Sequence, residues 1–225
     1  MIKRLFGKQN IDYPDFWKVY LAHFKNALPT NLEGLRFVVL DTETTGFDYK
    51  KDRILCIGAV AIQNNTIEVS NTFEVYIKQT HFNPETVAIH GILKDDKTER
   101  VTELEALKQF LVYLENAVIV AHHAVFDITM INKALKRHQL PLLQNKILDT
   151  SVLYRHSRIK SNLIDKSKHY TLDELAENLA IELYNRHTAV GDAYTTALIF
   201  MKLLNVLGKG KKLSPQELLK LSASV

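Results

Sequence analysis

RFVVLDTETTGFD, residues 36–48, opens on an apolar run and closes on acids, hydroxyls and a glycine. The run predicts a strand, and Gly46 predicts the turn that ends it. Asp41 and Glu43 lie two residues apart, so an extended backbone projects both carboxylates from one face. Side by side they repel. Such a pair persists when it is solvated or when a cation neutralises it, and hard divalent metals take oxygen ligands. A hydrated acidic turn stays open as the alternative for this stretch alone, because Thr and Gly also favour turns.

Working outward, RILCIGAVAIQ and TIEVSNTFEVYI read as two further strands joined at Asn64 and Asn65, which makes a three-stranded antiparallel meander. Beyond Pro84, Leu104, Leu107, Phe110, Leu111 and Leu114 recur at helical spacing, with Thr102 and Glu105 in capping-box positions. The buried run AVIVAH, a helix from Phe126 to His138, the breaker Pro141 and the short strand KILDT follow. Thr171 and Glu174 start a helix through Leu179. Ala189 to Leu207 forms a longer helix ending at Gly208, and Ser214, Pro215 and Glu217 open a short terminal one. Strand and helix alternate in this second half, so its strands are expected to be parallel. The prediction is an α/β fold with a mixed five-stranded sheet, three antiparallel strands and then two parallel, flanked by helices. Upstream, Trp17, Tyr20, Leu21, Phe24 and Leu28 form an apolar stripe. The expected division is an N-terminal helical extension at 1–34, a main domain at 35–207 and a short basic tail at 208–225.

Two more acidic sites sit at strand and helix ends. In AVIVAHHAVFD, Asp127 falls in the first turn of a helix, where capping competes with any chemical role. His122 and His123 read by default as hydrogen-bonded loop residues. In NRHTAVGDAYTTALIF, His187 precedes a helix whose first turns carry Asp192. An imidazole of ordinary pKa near 6.5 suits general-base work at neutral pH, although a solvated His with a first-turn Asp is the plainer reading. Ala189 and Gly191 add little bulk there, so backbone or substrate can approach closely.

Taken in order, DTETTG, the stretch from His122 to Asp127, and His187 to Asp192 resemble the three motifs of the DnaQ-like DEDD exonucleases, in the histidine branch that includes the proofreading epsilon subunit of bacterial DNA polymerase III. The resemblance spans roughly residues 36 to 206. It implies a ribonuclease H-like fold and a metal-dependent 3'-5' exonuclease that uses two divalent cations, Mg2+ or Mn2+, held by Asp41, Glu43, Asp127 and Asp192. By the same resemblance Asp41 bridges both ions, Glu43 and Asp192 help hold the water-activating one, Asp127 supports the other, and His187 accepts the proton. VAIHGI, with His90, is similar to the family's stretch beside the terminal nucleotide, and a His-Gly helix cap explains it equally. Asp149, in LDT, either lines the site or caps the next helix. One departure is His123, where the family usually has asparagine.

Thr44, Phe47, His90, His122, Arg155 and Arg158 are the candidate substrate contacts. Phe47 either stacks on the terminal base or lies under the turn as core. Between Tyr154 and Tyr170, five Lys or Arg face only Asp165, a presumed loop that reads as a backbone-binding patch or as a solvated run. The whole chain has 29 basic and 25 acidic side chains among 225 residues, net +4, which mildly favours an anionic partner. Single-stranded DNA 3' ends are the expected partner, with a DNA polymerase complex as a candidate beside them. An RNA exonuclease and a silent nucleic-acid-binding or polymerase-docking module are the alternatives. Cys56 is the lone cysteine, so no internal disulfide can form, and no signal peptide or membrane-length apolar run is read. A cytoplasmic protein is the expectation.

Overall fold

The structure, a computed structural model, describes residues 12–80, 82–94, 97–158, 168–210 and 213–222. The sheet grows around β1 (Phe37–Thr44). On one side β2 (Ile54–Gln63) runs antiparallel to it. On the other, β5 (Val118–Ala121) and β6 (Ile147–Asp149) extend the sheet in parallel. The third antiparallel member is broken in two. β3 (Thr66–Ile67) and β4 (Phe73–Tyr76) both pair with β2, separated by a 3-10 turn at Val69–Asn71. Local side chains capture the backbone there. Asn71 Nδ2 donates to Glu68 Oε2 at 3.1 Å and Thr72 Oγ1 to the Val69 carbonyl at 2.7 Å, an alternative to the ladder that alternation of apolar residues does not reveal. Asn64 and Asn65 adopt left-handed φ of 52° and 57°, as a tight hairpin turn requires.

Eight α-helices surround this sheet among the described residues: α1 (Asp15–Ala22), α2 (Pro84–His90), α3 (Glu103–Leu114), α4 (Val125–Arg137), α5 (Thr150–Arg158), α6 (Leu172–Asn178), α7 (Ala189–Leu207) and α8 (Pro215–Ser222). Several of them start at side-chain caps. Thr102 accepts from Glu105 N, Thr171 and Glu174 form a reciprocal capping box, and Thr188 accepts from Gly191 N.

Alternation along β1 divides the core. Val38 and Leu40 face one layer with Trp17, Phe110 and Ile131 from α1, α3 and α4. Phe37 and Val39 face the other with Tyr154, Leu175 and Phe200 from α5, α6 and α7. Phe37 meets Phe200 edge-on at 5.0 Å. Each such large side chain contributes about 1.5–3 kcal/mol when fully buried, so a strand covered on both faces is firmly fixed. α7 is long and apolar enough to cross a membrane by composition, yet it lies across the sheet as a core helix.

Three expectations change. The N-terminal stripe is core at Trp17 and Tyr20, whose hydroxyl donates to Asn145 Oδ1 at 2.6 Å, but Leu21 points outward because the regular helix stops at Ala22. The segment 208–225 is no loose tail over its described part. It carries α8, buries Leu213 and Leu218, and Ser222 Oγ accepts from Asp149 N at 3.1 Å. Arg155 and Arg158 lie on α5 rather than in a loop, because Asp149 Oδ1 accepts from Ser151 N and starts that helix. The rest of the basic stretch, 159–167, falls outside the described residues, as do 211–212 of GKGKK.

Candidate active site

The C-terminal end of β1 is where the two layers meet. Asp41 and Glu43 share the face of Phe37 and Val39, toward α7, while Thr42 points to the opposite face, toward α4. Asp41 pairs across the ladder with Gly58 of β2. A Cβ at Gly58 would sit 2.3 Å from the Ala189 carbonyl carbon and 2.4 Å from Val190 N, so only glycine lets the first turn of α7 rest on β2. Gly191 does the same for the preceding loop, since its Cβ would meet the Asn185 carbonyl at 2.1 Å. This close seating delivers Asp192. Its carboxylate and those of Asp41 and Glu43 offer oxygens that all lie within 4.8 Å of one another.

Asp127 comes from the other layer. It is buried in the first turn of α4, and Thr42 Oγ1 donates to its Oδ1 at 2.6 Å. It stands outside the compact trio and is joined to it by charge. Burial, then the charges of Asp127, Glu43 and Asp192, push the Asp41 carboxyl well above the usual range, against a smaller opposing effect of Arg186. Glu43 is pushed up to about 7, first by burial, then by Asp192 and Asp127. Asp127 is raised too, mainly by burial, with the Thr42 hydrogen bond pulling the other way. Asp192 Oδ2 is ion-paired with Arg186, and its Oδ1 is buried with no hydrogen-bond partner among the described residues. Desolvated carboxylates that raise one another's proton affinity, with one oxygen left unsatisfied, fit hard divalent cations, which take oxygen ligands and offset the repulsion.

A family model described as Exonuclease, RNase_T, matches residues 38–200. The chain belongs to this exonuclease family. Relatives include a DNA polymerase III PolC-type protein of Caldanaerobacter subterraneus subsp. tengcongensis, 38% identical over 79% of this chain. The chain spans only 12% of that relative's length. The DNA polymerase III subunit epsilon of Aquifex aeolicus is 33% identical over 79% of this chain and 84% of its own. Among solved structures, E. coli exonuclease I with a dT13 oligonucleotide superposes at a TM-score of 0.66, with 18% identity over 78% of this chain and 42% of that one. Exonuclease X with 5' overhanging duplex DNA gives 0.61, with 20% identity over 84% and 99%. At these identities the superpositions show the shared fold.

Other predicted positions of this exonuclease are placed less uniformly. His187 is exposed at the mouth of α7 with a left-handed φ of 63°, and its charge bears on Asp173 at the start of α6. His122 is turned away from the acids. Its Nδ1 lies 3.0 Å from Thr150 Oγ1 and its Nε2 2.9 Å from the Tyr170 carbonyl, and burial beside His123 lowers its pKa to about 4. Both ring nitrogens are therefore engaged, Nδ1 with the start of α5 and Nε2 with the Tyr170 segment. His123 approaches the same carbonyl at 3.0 Å. Thr44 is buried and its hydroxyl donates to the Gly46 carbonyl at 2.8 Å, an internal turn contact. His90 is also buried, its Nδ1 accepting from Ile92 N, and Gly91 caps α2 in left-handed geometry. Phe47 is 75% exposed beside Phe126, so it is not core. Asp149 is a cap and a tether, accepting from Ser151 N and Ala124 N.

Four residues that position the site escape a reading of motifs: Thr42, Gly58, Asp173 and Arg186. Gly58 left a signal, since an isolated glycine inside an apolar strand marks close backbone approach. The pairing of Thr42 with Asp127 joins segments 85 residues apart, and that of Arg186 with Asp173 joins two different elements, so neither leaves a signal in its own motif.

Proposed function

We propose that this exonuclease removes nucleotides from the 3' end of DNA, releasing nucleoside 5'-monophosphates, in proofreading or repair beside a polymerase. The observation that carries the reading is the convergence of Asp41, Glu43 and Asp192 within 4.8 Å at the end of β1, with Asp127 held by Thr42 behind them. The direction of cleavage and the choice of DNA rest on similarity to the polymerase III relatives. Asp41, Glu43, Asp127 and Asp192 would hold two magnesium or manganese ions. When bound, such ions supply charge neutralisation at the phosphate and lower the pKa of an attacking water.

The chain's own groups do the rest. His187 would take the water proton on its imidazole. Its exposure at the rim suits a base that closes on its partner once substrate is bound, because such contacts often tighten only in the complex. Phe47, exposed against Phe126, would stack on the terminal base. Arg155 and Arg158, near the end of α5, would meet the phosphate backbone. His123, where the histidine-branch pattern has asparagine, would leave that branch's usual substrate contact to other groups.

The test is end-labelled single-stranded DNA with magnesium or manganese, run beside a matched RNA. Shortening from the 3' end to nucleoside 5'-monophosphates, abolished in Asp41→Ala, is expected. Digestion from the 5' end only, or equal activity in Asp41→Ala, overturns the proposal. Faster loss of the RNA strand transfers it to an RNA exonuclease.

A further inference from the structure

The guanidinium of Arg186 supplies the positive charge that acts on both Asp41 and Glu43. It is fixed by two carboxylates at once. Nη1 pairs with Asp192 Oδ2, while Nε and Nη2 reach Asp173 Oδ1 and Oδ2 at 2.6 and 3.2 Å. Asp173 opens α6 and lies outside the acidic trio, with its side chain 53% exposed against 10% for Asp192. The arginine therefore has one hold inside the centre and a two-pronged hold outside it. Giving up Asp192 leaves the planar fork on Asp173 intact. Arg186 sits in a turn between two left-handed residues, Asn185 and His187.

We propose that Arg186 is an internal cation that competes with a divalent metal at Asp192, with Asp173 receiving the guanidinium as the metal enters. The pair then sets the metal concentration at which the centre assembles. This rests on the reading of the four acids as metal ligands. The physical reason is that a guanidinium and a divalent ion on one carboxylate repel at short range in a poorly solvated site. Asp173 lowers that repulsion by drawing the guanidinium outward. A bridge that only oriented Asp192 would act in the opposite sense, since losing an orienting partner weakens metal binding, typically 10–100-fold.

The full chain is titrated with Mn2+ alone, without nucleic acid, by calorimetry. Arg186→Gln is expected to bind Mn2+ about tenfold more tightly than the native protein, and Arg186→Lys, which keeps the charge, to stay near it. Asp173→Asn is expected to bind about tenfold more weakly, because the guanidinium is then left on Asp192. Opposite signs at Arg186 and Asp173 are the signature. Equal or weaker binding in Arg186→Gln, or tighter binding in Asp173→Asn, overturns the proposal. Should Arg186→Gln fail to fold, Asp173→Asn decides it, since about tenfold weaker Mn2+ binding supports the proposal and equal or tighter binding overturns it. A native chain showing no Mn2+ binding that Asp41→Ala removes would sink the metal-centre reading itself, and this inference with it. A chain that binds Mn2+ but is indifferent to Arg186 loses only the inference.

Discussion

Asp127 and Asp192 approach the end of β1 from opposite layers, and the protein steadies them by different means. On the α4 side a neutral hydroxyl, Thr42, donates to a buried carboxylate whose proton affinity is raised. On the α7 side a cation, Arg186, pairs with Asp192 while a side-chain-free residue, Gly58, lets the helix come close. One acid is held by a dipole from the neighbouring strand β1, the other by a charge and by backbone proximity. The difference teaches that a cluster of like charges can be assembled from pieces with separate stabilities, each open to being broken alone.

Gly58→Val should break the α7 side most severely. Its side chain would enter the backbone of Ala189 and Val190, costing about 3 kcal/mol or more and withdrawing Asp192. Thermal melting should drop and nuclease activity should vanish, while melting that matches the native protein would refute the close seating. His187→Gln, on the same side, should lower kcat roughly a hundredfold with little change in KM, the usual scale for a positioned base. A change confined to KM would reassign the ring to substrate binding.

Thr42→Val attacks the α4 side without changing shape. It leaves a buried carboxylate oxygen without its donor, a loss of about 1–3 kcal/mol in EDTA. Mn2+ should recover part of it, and unchanged melting in EDTA would show that Asp127 does not depend on the hydroxyl.

The smallest effect concerns Glu43 between the two sides. Its folded pKa of about 7 lies above the ordinary value of 4.5, so the folded chain binds that proton more tightly than the unfolded chain. The resulting stability is complete below about pH 4.5 and is lost as pH rises through about 7. Melting in EDTA should therefore fall by about 4 °C between pH 5.5 and 8. Glu43→Gln should lessen the slope, leaving the part that Asp41 and Asp127 contribute, and an equal slope in that variant would assign it to those two alone.

What could be read from the sequence follows the range of the forces involved. The strand at Phe37–Leu40, the caps at Thr102 and Thr171 and the limits of α7 are local matters of periodicity and side-chain geometry. Asp41, Glu43 and Asp192 were legible as acids at element ends, whereas the expectation was of four acids converging and the compact group has three. Asp127 was legible as an acid but not as one standing apart from the trio on a hydroxyl. The break at Val69–Asn71 was hidden because Glu68 and Thr72 satisfy backbone or side-chain groups nearby while keeping an alternating pattern. His122 reads from the sequence as a hydrogen-bonded loop residue, and it is one, but the groups it meets were hidden. Its partners, Thr150 and Tyr170, lie 28 and 48 residues away, and nothing in its own neighbourhood announces them.

Asp192 arrives on α7, late in the chain, and reaches its neighbours only after that helix has settled against β2. Until residue 192 has emerged from the ribosome and docked, a nascent chain holds Asp41 and Glu43 without the member that completes their cluster. On the proposed reading of these acids as the metal centre, destructive chemistry is withheld from the half-made molecule until α7 has been made and seated.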